Sequence, residues 1–163
     1  MVEQLAFNQL VAGSNPARPM MYKNPVPTVD IIIEKGDKIV LITRKNEPFK
    51  GKLAIPGGFV SEGDLIEDIA IKEAKEETSL DVKLKEILGV YSIPDRDPRG
   101  HLMTTVFIAK PIGGKISGGD DASDAAWFKI NEKILNELSF DHKKIIKDYL
   151  KWKKKRGTYW STK

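Results

Sequence analysis

Three glutamates, Glu73, Glu76 and Glu77, fall in a segment whose apolar spacing predicts a helix over about 65–78. At about 100° per residue, Ile66 and Ile69 lie within about 40° of Glu73, and Ala70 within about 60°. Glu76 and Glu77 share that sector, about 60° to one side and about 40° to the other. The carboxylates therefore continue the apolar stripe, whereas Asp64, Asp68 and Lys75 occupy the opposite side. Ile71 is the exception, an apolar residue among the polar ones. Carboxylates gathered over a half-buried surface repel one another and lose hydration, and a divalent cation relieves both. The bland alternative is a partly exposed helix end whose glutamates pair with nearby lysines.

The approach to this helix suits the same task. Pro56-Gly57-Gly58 places two residues without side chains where a strand ends, so a ligand can come close to the backbone. Gly63 permits the turn, and Asp64 with Glu67 has the spacing of a capping box. The chain has no cysteine and only two histidines, His101 and His142. That excludes disulfides, thiolate zinc sites and a cysteine nucleophile. It leaves oxygen ligands, which suit Mg²⁺ and also Mn²⁺.

The surrounding elements alternate in type. TVDIIIE and KIVLITR read as strands joined through Lys35-Gly36-Asp37, and Leu53-Ala54-Ile55 as a short third. After the glutamate helix come a strand VKLKEILGVYS, a stiff loop IPDRDPRGH, a strand LMTTVFIAK and a turn SGGDDAS. A strand around AAWFKI and two helices, near 132–138 and 141–154, close the pattern. This is one α/β domain with a mixed sheet, and 163 residues hardly accommodate two domains.

Residues 1–20 lack periodicity and read as an extension outside the domain, which spans 21–150, with a basic tail over 151–163. Gly13-Ser14-Asn15-Pro16 is also what GGT-TCG-AAT-CCC encodes, the T-arm consensus of transfer RNA genes. The expectation is a start at Met20 or Met21. No apolar run is long enough to cross a membrane and no secretory leader opens the chain, so the cytoplasm is the expected address. The net charge of +4 is concentrated near the C-terminus, from Lys143 to Arg156. Only Trp152, Tyr159 and Trp160 accompany it, too few for a stacking platform, which argues against nucleic acid and for a solvated helix fraying into a tail.

The segment GGFVSEGDLIEDIAIKEAKEETSL resembles the signature of the Nudix hydrolase family, G-x5-E-x7-R-E-U-x-E-E-x-G-U, beginning at Gly58. NPVPTVDIIIE, RKNEPFKGKLAIPGGFV, YSIPDRDPRGH and GDDASDAAWF are similar to the ADP-ribose pyrophosphatase branch. The resemblance implies an α/β/α sandwich around a mixed β-sheet, and many members of the branch are homodimers. Glu73, Glu76 and Glu77 match the family's metal-binding glutamates, and the Gly57 carbonyl is a further candidate ligand. Three positions depart from the signature: Asp64 replaces Glu, Lys72 replaces Arg and Ser79 replaces Gly; Leu53 also stands where many relatives carry Trp. Lysine does not reproduce arginine's two-pronged contact with carboxylates.

The activity implied is Mg²⁺-dependent hydrolysis of the diphosphate bond of a small nucleotide, with ADP-ribose giving AMP and ribose 5-phosphate. Glu77, Glu73 and, from a later loop, Asp120 or Asp121 are the candidate bases. Arg44 and Phe49 are candidate contacts for a phosphate and a base. Arg96, Arg99 and His101 either meet substrate or pair with Asp95 and Asp97 to hold their loop, and Pro94 stands where ADP-ribose-preferring relatives carry proline. Two alternatives stay open: a nucleoside triphosphate or dinucleotide polyphosphate hydrolase, and an ADP-ribose-binding regulator of transcription without catalysis.

Overall fold

The computed structural model describes residues 23–118 and 122–163. The N-terminal extension, Asp120 and Asp121 therefore lie outside the described residues. The elements run β1 (Val26–Lys35), β2 (Lys38–Arg44), β3 (Leu53–Ala54), β4 (Gly57–Phe59), α1 (Ile66–Thr78), β5 (Leu80–Tyr91), β6 (Leu102–Gly114), β7 (Ala122–Lys129), α2 (Glu132–Glu137), α3 (His142–Lys154) and β8 (Tyr159–Trp160). The strands order as β3-β2-β1-β6-β5-β8, with β4 also on β1 and β7 also on β2. Parallel and antiparallel pairs occur together, so the sheet is mixed as expected.

The expected β1–β2 hairpin forms only at its closed end. Glu34 pairs with Ile39 and Lys35 with Lys38, across a turn that Gly36 makes at φ 63°. Along Val26–Ile33, β1 instead runs parallel to β6, and Thr28–Asp30 also accept β4 on the other side. β1 is thus a central strand with both faces covered, which is why it reads as a near-continuous β-branched run. Val29, Ile31 and Ile33 pack with Ile69, Ala70 and Ala74 of α1. Ile32 faces the opposite core with Ile145, Ile146, Tyr149 and Trp152 of α3. Helices on the two faces of the sheet make the α/β/α sandwich.

Two local details differ from expectation. The first turn of α1 has Leu65 at its N-cap with no side-chain cap. Asp64 Oδ2 accepts from the Ser61 N–H at 3.1 Å, so this carboxylate closes the preceding loop and makes no capping box. The basic segment does not simply fray. α3 buries one face, and the chain beyond it returns as β8, parallel to β5 at Gly89 and Val90. A Cβ on Gly89 would stand 1.9 Å from the Tyr159 carbonyl oxygen, so the approach requires glycine.

Candidate active site

The C-terminal half of α1 lies against the β4 strap, and the two elements fix two of the three glutamates. Glu77 is buried, and its Oε2 accepts the Gly57 N–H at 2.9 Å. Glu73 is half-buried and lies over Gly58, where an added Cβ would be 2.4 Å from its carboxyl carbon. Both line a cavity of about 490 Å³. Glu76 is exposed, stands 3.9 Å from Lys72 and is not among the residues lining the cavity. Among the described residues no three acidic or histidine side chains converge as a preformed metal cage. Glu73, Glu77 and the Gly57 carbonyl nevertheless form an oxygen-only donor set at the cavity wall, which fits a hard divalent cation.

The cavity also carries positive charge. Arg44 lines the cavity, and its Nε donates to the Pro48 carbonyl at 2.8 Å. Arg99 also lines it, gripped by a fork to Asp97 with contacts of 3.0 and 2.7 Å. Burial alone would raise the Asp97 carboxyl, but the Arg99 hydrogen bonds outweigh it and hold it below the usual carboxylate range. Arg96 is buried and spends its fork on Asp141, at 2.9 and 2.7 Å. Phe49 reaches the cavity through Phe140, edge to face at 4.9 Å. His101 is exposed and shares a 2.9 Å hydrogen bond with the Ser92 carbonyl. The structure thus gathers Glu73, Glu77, Gly57, Arg44, Arg96 and Arg99 around one cavity, and His101 and Glu76 do not line it.

Four residues of the site escaped the sequence reading: Asp30, Phe140, Asp141 and His142. Asp30 Oδ2 accepts from the Thr104 hydroxyl at 2.8 Å, with Arg96 3.7 Å away. Burial pushes its carboxyl up, against Arg96 and Thr104, which favour the charged form. His142 Nδ1 accepts the Ile55 N–H at 3.0 Å, which leaves the ring proton on Nε2, 3.7 Å from Asp30 Oδ1. Burial pushes the His142 pKa down to about 3, so an uncharged imidazole faces Asp30 at neutral pH. One signal for Asp30 was present: it is the single charged residue inside the β-branched run TVDIII.

Comparison with known proteins identifies the family. The NUDIX domain pattern matches residues 24–149. Over 133 residues the chain is 56% identical to an ADP-ribose pyrophosphatase of Methanocaldococcus jannaschii, covering 82% of this chain and 78% of that one. The NUDIX domain of Shewanella oneidensis NrtR, solved with ADP ribose, superposes with a TM-score of 0.70 at 25% identity, over 88% of this chain and 96% of that one. A bifunctional NMN adenylyltransferase/ADP ribose pyrophosphatase of Francisella tularensis, solved with AMP and a Mn ion, gives a TM-score of 0.72 at 26% identity, over 92% of this chain and 46% of that one. The pattern match, the high identity to a pyrophosphatase and the shared architecture together place this chain in the Nudix hydrolase family, in its ADP-ribose pyrophosphatase-like branch.

Proposed function

We propose that this chain hydrolyses the diphosphate bond of ADP-ribose, releasing AMP and ribose 5-phosphate, with Mg²⁺ as the ion and Mn²⁺ as a substitute. The observation that carries the reading is the fit between α1 and the glycine strap: Gly57 binds one carboxylate through its N–H, and Gly58 leaves room for the other. The similarity to the Methanocaldococcus pyrophosphatase supports the substrate. A bound divalent ion neutralises diphosphate charge and acidifies a water. Glu73, Glu77 and the Gly57 carbonyl would hold that ion, with Glu76 a further candidate ligand. Water oxygen bonds to one phosphorus, the bond from that phosphorus to the bridging oxygen breaks, and the bridging oxygen leaves on the other phosphate. The water proton passes to a carboxylate, Glu77 or Glu73, or to Asp120 of the later loop. Arg44 and Arg99 meet the phosphates chiefly with their charge, since Asp97 already takes the Nε–Nη2 edge of the Arg99 guanidinium. Arg96 positions the corner around Asp141 and Asp30.

The test is a Mg²⁺-supplemented screen of nucleoside diphosphate derivatives, triphosphates and dinucleotide polyphosphates on wild type and Glu77→Gln. ADP-ribose is expected among the best substrates, with the variant slower by a factor on the order of 10² or more. Equal turnover by the two proteins refutes the site. Preference for triphosphates refutes the substrate alone.

A further inference from the structure

The strap that carries Gly57 crosses between strands, and its backbone leaves the sheet ladders where it crosses. β3 pairs with β2 only at Leu53 and Ala54, and β4 pairs with β1 from Gly57 onward. Ile55 and Pro56 lie between, in neither ladder. Pro56 has no N–H to place, and its carbonyl accepts the Ile31 N–H at 2.8 Å. The buried Ile55 N–H needs another acceptor, and His142 Nδ1 supplies it at 3.0 Å.

The corner between α2 and α3 stands in for a neighbouring strand. In extended backbone the carbonyl of one residue and the N–H two residues on point to the same side. At Leu53 and Ile55 this corner takes both. The Ser139 N–H and hydroxyl donate to the Leu53 carbonyl at 2.8 and 2.9 Å, and His142 accepts the Ile55 N–H. Phe140 turns the chain between the two contacts at φ 53°, a left-handed backbone that a bulky residue disfavours. Such strain persists only where the surroundings over-determine it. His142 is itself set for the task. Burial keeps the ring uncharged, and its Nε2 faces Asp30 Oδ1 across 3.7 Å. The Thr104 hydroxyl holds the other Asp30 oxygen at 2.8 Å. With the ring proton on that side, Nδ1 keeps its lone pair for Ile55.

Little freedom separates this contact from the glutamates. Ile55 precedes a proline, which confines it to extended backbone, and the Pro56 ring fixes its own φ. The next N–H is that of Gly57, on Glu77 Oε2 at 2.9 Å. Core packing of the Ile55 side chain fixes where the residue sits, and the hydrogen bond fixes how its peptide plane is turned. We infer that His142 is a positioning residue for the cation site: by accepting the Ile55 N–H it sets the turn of the strap, and with it the places of the Gly57 carbonyl and Glu77. The inference rests on the proposed metal site but not on which nucleotide is cut.

Mn²⁺ binding to the full chain, followed by loss of the free-ion electron paramagnetic resonance signal, compares wild type with three variants. His142→Asn offers a carboxamide oxygen in about the place of Nδ1, whereas His142→Leu and His142→Ala offer no acceptor. Whichever of the last two folds by circular dichroism is expected to bind Mn²⁺ on the order of tenfold more weakly, with His142→Asn within about threefold of wild type. Asp148→Ala, destabilised outside the cavity, is expected to keep wild-type affinity. Affinity within about twofold of wild type in the leucine or alanine variant overturns the inference. So does an equal loss in His142→Asn or in Asp148→Ala. Wild type alone supplies a second measurement. A tie that favours the ion is favoured by it in return, so Mg²⁺ is expected to slow hydrogen exchange at the Ile55 amide more than at the core amides of α3. Equal slowing overturns the inference without any variant. The expected pattern in a protein that leaves ADP-ribose uncut upholds the positioning role and sinks the proposed activity.

Discussion

Adjacent glycines in the strap should fail in opposite ways when each is given a methyl group. In Gly58→Ala the new Cβ meets the Glu73 carboxyl at 2.4 Å, the far end of a flexible side chain. Ordinary contact begins near 3.4 Å, so the carboxyl must retreat by about 1 Å. A misplacement of that size in a catalytic constellation costs a factor on the order of 10² in rate. The fold loses little, since alanine is at ease in extended backbone and stiffens the unfolded chain. In Gly57→Ala the Cβ meets the Val29 carbonyl oxygen at 2.2 Å and the Asp30 Cα at 3.0 Å. These are parts of a central strand, and forcing them apart costs about 1–3 kcal/mol. At about 2–4 °C per kcal/mol for a chain of this size, the melting temperature should fall by roughly 2–12 °C. Thermal melts followed by circular dichroism, together with kcat/KM on ADP-ribose, separate the two outcomes. A Gly58→Ala protein with wild-type kcat/KM would show that Glu73 needs no fixed place and would refute the reasoning.

Further outcomes follow from other contacts. Glu76→Gln should raise the Mg²⁺ concentration for half-maximal rate more than it lowers kcat, because this carboxylate is exposed and its ion pair to Lys72 is long, at 3.9 Å. Lys72→Arg should shift the Mg²⁺ titration the other way by adding a two-pronged partner for Glu76, and identical titrations in all three proteins would dismiss any role for it. His142 titrates at about 3 when folded and near 6.5 when unfolded. Below pH 6.5 the unfolded chain therefore binds a proton that the folded chain refuses, and stability falls by about 1.4 kcal/mol per pH unit. Urea denaturation between pH 7 and 5 should show this slope shrinking in His142→Gln, and equal slopes would rule the imidazole out. Asp148 is fully buried and accepts from the Tyr91 hydroxyl at 3.0 Å, from Lys151 at 3.1 Å and from Lys144. Asp148→Ala should cost about 3 kcal/mol in denaturation experiments by stranding the Tyr91 hydroxyl, while kcat/KM stays at the wild-type value.

What the sequence made legible was local. Helix periodicity placed the glutamates on α1, and β-branched runs marked β1 and β2, because both signals repeat over neighbouring residues. The wheel was too coarse at its edges. Glu76 and Glu77 are about 100° apart, and the buried arc centres on Ala70, Ala74 and Glu77, which leaves Glu76 outside it. The Asp30–His142 and Arg96–Asp141 contacts were illegible for a different reason. They join residues far apart in the chain, through a corner whose shape depends on where Leu53 and Ile55 lie. A strained phenylalanine has no sequence signature at all, since its φ is imposed by partners that only the fold supplies.

The return of the last residues onto β5 has a bearing on assembly. An uncovered rim of unpaired backbone amides invites another chain to zip onto it, the usual route to runaway fibre growth. Here Tyr159 and Trp160 occupy that rim, and Gly89 admits them without steric conflict. While they stay in place, two copies of this protein cannot join by extending one sheet into the next across β5 at Gly89 and Val90.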